Sequence, residues 1–201
     1  MTSKKAGVSF WYDVIQDLRL ILEYEGKRFN LKNILWAVAA CDAYMLLVTF
    51  RLRTLCRKYR IPFCNRMLRL LQTLFYAIEL GNEIHLDHGV YFVHTLGTVV
   101  GGDAVIGEGC VFFGNNTIGA ARFKGSPTLG KHVVIGAGVR VIGKIEVGDD
   151  CFLGANAVVV SSIPANKVAV GIPARVIASN SEAGIIEEMK HFRDGQSVRS
   201  S

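Results

Sequence analysis

Residues 129–160 read LGKHVVIGAGVRVIGKIEVGDDCFLGANAVVV, and an aliphatic residue returns at every sixth position: Leu129, Ile135, Val141, Val147, Leu153 and Val159. Glycine follows directly at Gly130, Gly136, Gly148 and Gly154, and a smallish residue stands four places on at Val133, Val139, Cys151 and Ala157. The same beat runs upstream through Val100, Ile106, Phe112 and Ile118, with Gly101, Gly107 and Gly119 behind three of them and Ala104 and Cys110 four places on. A helix would bring apolar residues round with a period of 3.6 and a flat strand with a period of 2, and neither template fits. A chain that turns a corner at every hexapeptide closes a triangular coil in three of them and stacks its inward residues on those of the next coil. Small residues let the backbone bend at the corners. The pattern predicts a parallel β-helix.

The two runs are out of phase, because Ile118 to Leu129 is eleven residues and not twelve. The segment GAARFKGSPT, residues 119–128, therefore leaves the coil as a loop, and loops thrown from a rigid solenoid commonly line its ligand site. The beat stops at SSIPANKVAVGIPARVI, residues 161–177, where Pro164 and Pro173 interrupt regular pairing. Beyond it, Ile185, Ile186 and Met189 predict a short terminal helix followed by a flexible polar tail.

Before the repeat the period is helical. Ile15, Leu18 and Leu22, and again Leu68, Leu71, Leu74, Phe75 and Ile78, recur at spacings of three and four, which predicts three or four helices broken near Gly26 and Pro62. The chain thus divides into a helical region over 1–80, a β-helix over 81–178 and a terminal segment over 179–201, an α+β architecture. Residues 34–50 are apolar except for Asp42. That run is shorter than the roughly 20 residues that span a bilayer, so it reads as one helix buried at a subunit or domain contact, with a helix lying in a membrane interface as the alternative.

The net charge of +6 is unevenly placed, with 13 bases against 6 acids in residues 1–80 and 10 against 11 in the remainder. Seven of those bases fall between Arg51 and Arg69 without one acid, interleaved with leucines. Such a basic amphipathic stretch suits a membrane surface, while nucleic-acid binding is disfavoured because no base-reading module accompanies it. The five cysteines form no CxxC pair and read as small buried residues. No secretory leader is recognisable, so the expected compartment is the cytoplasm, at the inner face of the membrane if the basic helices touch lipid.

Several segments carry a resemblance: AYMLLVTFRLRTL (43–55), GNEIH (81–85), HTLGTVVGGDAVIGEGC (94–110), NTIG (116–119), residues 128–160 and VAVGIPARVI (168–177). In these the chain resembles the serine acetyltransferases and, more broadly, the hexapeptide acyltransferases. The resemblance implies a left-handed coil, a homotrimer with its active site in the groove between subunits, and direct transfer of acetyl from acetyl-CoA to a hydroxyl, with no metal. By motif position the general base is His94, which also lies six residues before Val100, in a slot where a stacked aliphatic is expected. An imidazole titrating near neutrality can take a hydroxyl's proton and return it to the departing thiolate. Glu83 in GNEIH matches the carboxylate that orients this histidine, although the interval between them is four residues shorter than in the family.

For the cofactor, pantetheine lying along small-residue corners implicates Gly119, Ala120, Gly136, Ala137, Gly154 and Ala155. Lys167 and Arg175 are candidates for the nucleotide phosphates, or else solvated surface cations. Asn115, Ser126 and His85 are the acceptor-side candidates. His85 and His88 with Asp87 offer metal-ligand types, but histidines on different faces of a corner rarely converge, and no metal is expected.

Two departures from the family bear on the acceptor. Val93 stands before the base in place of an acid, and Ser126 replaces a histidine in the loop. Both remove groups suited to serine, which points to a sugar hydroxyl in exopolysaccharide or surface-glycan synthesis, as in the colanic-acid type of sugar acetyltransferase. L-Serine in cysteine synthesis and a non-catalytic β-helix scaffold are the competing readings.

Overall fold

The computed structural model describes residues 10–121 and 125–179. Four helices come first: α1 (Phe10–Tyr24), α2 (Leu31–Ala40), α3 (Asp42–Lys58) and α4 (Pro62–Tyr76). In α1 the stripe Val14, Leu18, Ile21 and Leu22 is buried, whereas Ile15, expected with it, faces solvent. Asn30 caps α2, its side chain accepting from the Asn33 N–H at 2.9 Å, and α4 opens on Pro62, where a missing N–H costs nothing.

The apolar run 34–50 is not one helix. It breaks at Cys41, whose backbone is extended, and the two halves meet at 80°. Asp42 enters the first turn of α3, where a negative charge is favoured by the helix dipole and unfavourable to a continuing apolar helix. Among the described residues no single helix is long and apolar enough to cross a membrane, though this bent pair passes on length and composition. The expectation for α4 also changes. Gln72 is its buried residue, while Phe63, Met67, Leu71, Leu74 and Phe75 form an exposed apolar stripe.

The solenoid that follows is built from short strands. Its first coil holds β1 (Glu79–Leu80), β2 (His85–Leu86) and β3 (Tyr91–Phe92); the second holds β4 (Val99–Val100), β5 (Val105–Ile106) and β6 (Val111–Phe112). Next come β7 (Thr117–Gly119), β8 (Thr128–Leu129), β9 (Val134–Ile135), β10 (Arg140–Ile142), β11 (Glu146–Val147), β12 (Phe152–Leu153) and β13 (Val158–Val159). All of these pair in parallel as three faces of a prism, ordered β1-β4-β7-β10-β13, β2-β5-β8-β11 and β3-β6-β9-β12. The third face continues into β14 (Lys167–Gly171), and β15 (Ala174–Ser179) then returns antiparallel on β14.

One residue of each strand points inward, so that Leu80, Val100, Ile118, Val141 and Val159 stack in register on the first face. On the third face Phe92 lies on Phe112 with ring centroids 4.9 Å apart. Each such buried side chain contributes about 1.5–3 kcal/mol, and repetition makes the stack the main source of stability. The repeat begins a whole coil earlier than its glycines suggest, since Leu80, Leu86 and Phe92 already keep the six-residue beat. Four cysteines are buried as expected, but Cys64 is exposed. The expected terminal helix at Ile185–Met189 lies outside the described residues.

Candidate active site

Where one face of the prism meets the next, the corners of successive coils stack into three ridges. The first ridge, between the β3 and β1 faces, begins with an enlarged corner, because Phe92 and Val100 are eight residues apart instead of six. Inside it, Gly97 donates its N–H to the Ala77 carbonyl at 3.0 Å, and Leu96 accepts from the Asn115 N–H at 2.8 Å. The corner is thereby fastened to the chain below and the coil above. His94 stands on it, exposed.

This corrects the phase argument for His94. The inward slot of that hexad belongs to Phe92, paired with Phe112, and the two extra corner residues carry His94 outside the stack. Its polarity creates no burial problem and is available to a ligand. Directly above lies Gly114, at φ +98, where an added Cβ would come within 2.9 Å of the His94 Cβ.

Along this ridge the next corners are Gly114–Asn115, Ala137–Gly138 and Ala155–Asn156, joined by Gly138 N–H to Gly114 O at 3.0 Å and Asn156 N–H to Ala137 O at 2.8 Å. A cleft of about 420 Å³ runs over them, lined by His94, Phe113, Gly136, Ala137, Phe152 and Ala155. Three of the six expected pantetheine positions therefore share a groove with the expected base. Gly136 and Gly154 have a packing reason as well, since a Cβ would meet Leu153 O at 2.7 Å in one case and the Val170 side chain at 2.7 Å in the other. Exposed Ala137 and Ala155 are the ledges that a thin ligand would touch.

A residue missed from sequence underlies this floor. Asn116 is fully buried; its Oδ1 accepts from Gly114 N–H at 3.0 Å and its Nδ2 donates to Gly136 O at 2.7 Å. It occupies a position filled by Val139 and Ala157 in later coils, and a polar residue in that apolar column was the available signal. Asn115 beside it is at φ +52 and is held by Arg140, which donates to its carbonyl.

Glu83 stands on the second ridge, at the exposed corner between β1 and β2. Gly119, Ala120 and Ser126 belong to that ridge too, so one chain does not bring them to His94. Another acid, Glu79, is exposed on β1, the strand that follows the first ridge, beside Val99 in register and with its N–H on the Thr98 carbonyl at 2.9 Å. Matching Glu79 in place of Glu83 also removes the four-residue deficit before His94.

Ser126 is buried and works as a fastener. Its N–H donates to Asp103 Oδ1 at 3.0 Å while its Oγ accepts from the Asp103 N–H at 3.1 Å, which pins the end of the loop to the preceding coil. The Ser126 hydrogen bond holds the Asp103 carboxyl below its usual range. His85 is exposed on the outer side of β2, away from the groove. Lys167 opens β14 at the third ridge, and Arg175 is exposed on β15, so neither lines the cleft of a single chain.

Ligand atoms of Asp87, His88 and Glu108 lie within 4.8 Å of one another, and His85 is not among them. Both His88 ring nitrogens already face carboxylates, Nε2 at 2.9 Å from Asp13 and Nδ1 at 3.2 Å from Asp87. The set reads as a clamp between α1 and the first coil.

Comparison with known proteins adds the following. A family model described as bacterial transferase hexapeptide (six repeats) matches residues 126–161. Serine acetyltransferase of Synechococcus elongatus is 32% identical over 164 residues, covering 80% of this chain and 66% of that protein. Serine acetyltransferase of Helicobacter pylori strain J99 is 38% identical over 137 residues, covering 67% of this chain and 80% of the other. Among solved structures, soybean serine acetyltransferase complexed with serine superposes with a TM-score of 0.72 at 26% identity, covering 84% of this chain and 70% of that one.

Proposed function

Since the chain belongs to the serine acetyltransferase family of hexapeptide-repeat acyltransferases, we propose that it transfers acetyl from acetyl-CoA to a hydroxyl, with His94 as general base. The observation that carries this reading is the groove that unites His94 with the Ala137 and Ala155 ledges. Pantetheine laid along those ledges brings its thioester towards the His94 corner. His94 takes the acceptor's proton as the hydroxyl oxygen attacks the thioester carbon. Collapse of the tetrahedral intermediate breaks the carbon–sulfur bond, and the protonated imidazole returns the proton to the departing thiolate. In this reading Glu79, on the adjoining strand, is the carboxylate that orients the ring.

In this reading the enzyme is a homotrimer. The small corners and Ser126 of the second ridge, remote from His94 within one chain, would then wall the groove from a neighbouring copy, along with Lys167 or Arg175 as phosphate contacts.

For the acceptor, the relatives support L-serine. A sugar hydroxyl is the second reading, favoured by two observations: Val93 offers no charge beside His94 to an amino acid, and Ser126 has its hydrogen bonds taken up by Asp103. The deciding experiment is CoA release from acetyl-CoA by the purified protein, with L-serine set against a panel of sugars and nucleotide sugars. Serine-dependent release establishes the first reading, release with a sugar alone establishes the second, and release with neither group overturns the hydroxyl-acetylation proposal for these acceptors.

A further inference from the structure

A second cleft, of about 300 Å³, opens between α4 and the first coil and is lined by Asn65, Arg66, Arg69, Leu70 and Asn82. Behind it lies Arg53, only 2% exposed, which forms no ion pair among the described residues. A buried cation without a counter-charge is costly unless hydrogen bonds compensate it. Here the partners are neutral amides: Arg53 donates from Nη1 to Gln72 Oε1 at 2.6 Å, from Nη2 to Asn82 Oδ1 at 3.0 Å and from Nε to Asn65 Oδ1 at 3.4 Å. Burial, followed by the neighbouring Arg57 and Arg69, pushes the guanidinium down to about 10.

These contacts decide the orientation of the amides that line the cleft. Arginine offers donors alone, so Asn65 and Asn82 must turn their oxygens towards it and their nitrogens away. Asn65 Nδ2 bonds weakly to Asn82 Oδ1 at 3.4 Å, and no hydrogen bond within the described residues occupies Asn82 Nδ2. Arg66 and Arg69 are exposed at the mouth without an ion pair among the described residues, and the nearest acids in sequence, Glu79 and Glu83, do not line the cleft. The result is a concave site with two guanidinium groups, an oriented amide donor and an uncompensated cation behind its wall.

We infer that this cleft binds a phosphate-type oxyanion, held by Arg66, Arg69 and the Asn82 amide. Tetrahedral oxyanions match guanidinium forks with paired hydrogen bonds, and the volume admits a diphosphate. The site is separate from the His94 groove and does not depend on the acetyl-transfer reading. The phosphate can be a lipid headgroup, for which the apolar stripe of α4 would supply a contact surface beside Leu70, or that of a soluble ligand.

Thermal unfolding of the full chain with inorganic pyrophosphate, compared with sodium chloride at matched ionic strength, tests the inference. The melting temperature is expected to rise by a few degrees in the wild type and in K58Q/R60Q, which removes two bases outside the cleft, and to stay unchanged in R66Q/R69Q. No rise in the wild type, or an equal rise in R66Q/R69Q, overturns it. Sedimentation with phosphatidylglycerol-containing vesicles, against phosphatidylcholine alone, then separates the sources. Binding lost in R66Q/R69Q assigns a lipid headgroup, and a pyrophosphate shift without vesicle binding assigns a soluble phosphate.

Discussion

Arg51 closes its guanidinium on Asp17, Nε to Oδ2 at 2.9 Å and Nη2 to Oδ1 at 3.1 Å, and the same guanidinium donates to the carbonyls of Leu86 at 2.7 Å and Asp87 at 2.8 Å. Asp17 is fully buried and also accepts from Gly89 N–H at 2.9 Å. One ion pair therefore joins α1, α3 and the first coil. Removing one member strands the other, so Asp17→Ala should lower unfolding free energy by about 3–5 kcal/mol. Arg51→Lys should lose part of the same stability, since an ammonium cannot reproduce the fork. Denaturant titration of both variants checks this, and wild-type stability in either would refute it.

His94→Ala should reduce acetyl transfer by about 10²–10⁴-fold, the usual span for a lost general base. The side chain lies outside the stack, so melting temperature and oligomeric mass should not move. Turnover within a few fold of wild type would end the mechanism proposed for this groove.

Two acids compete for the role beside His94, and the ridges separate them. Glu79→Gln should slow turnover by at least about tenfold, while Glu83→Gln should leave it nearly unchanged. The reverse result would mean that the second ridge reaches His94 from a neighbouring copy.

Ala155 lines the cleft and faces solvent, so a large side chain there obstructs the ligand without disturbing the core. For Ala155→Phe the KM for acetyl-CoA should rise about tenfold or more at unchanged melting temperature. An unaltered KM would place the pantetheine elsewhere.

Tyr91 donates its hydroxyl to Glu25 and stacks on Tyr24 with ring centroids 4.1 Å apart. Burial alone would raise the Glu25 carboxyl, but hydrogen bonds from Lys27 and Tyr91 outweigh it and hold the group below its ordinary 4.5. Stability from this group is present above the ordinary value and lost as pH falls through the lower folded one. Tyr91→Phe should cost about 1.5–3 kcal/mol at neutral pH, and its stability should fall less steeply than that of the wild type below pH 4.5. Parallel acid limbs would show that the hydroxyl contributes nothing to the Glu25 shift.

From Val100 onward the solenoid was legible, because most inward residues there are followed by glycine or another small residue at a fixed distance. The first coil kept the six-residue beat at Leu80, Leu86 and Phe92, but Asp87 and Val93 occupy the places of the usual glycines, and the enlarged corner before Val100 shifts the phase. That shift also explains why His94, chosen by motif, does not occupy the inward slot its spacing from Val100 suggests. The small residues proposed as cofactor ledges were legible as small residues, whereas their distribution over two ridges was not, since period alone does not say which corners stack. The break at Cys41 was hidden because apolar composition continues through it while the backbone does not.

The antiparallel return of β15 on β14 has one more consequence. A coil at the end of a parallel solenoid presents open N–H and C=O groups in the same direction as the coil beneath it, so it is a template for the first coil of another molecule. Head-to-tail addition of that kind does not close and would grow into a fibre. On the third face β15 occupies that template with a strand of opposite direction and mismatched register. On that face the closing hairpin thus leaves no parallel edge in register for a second copy to extend.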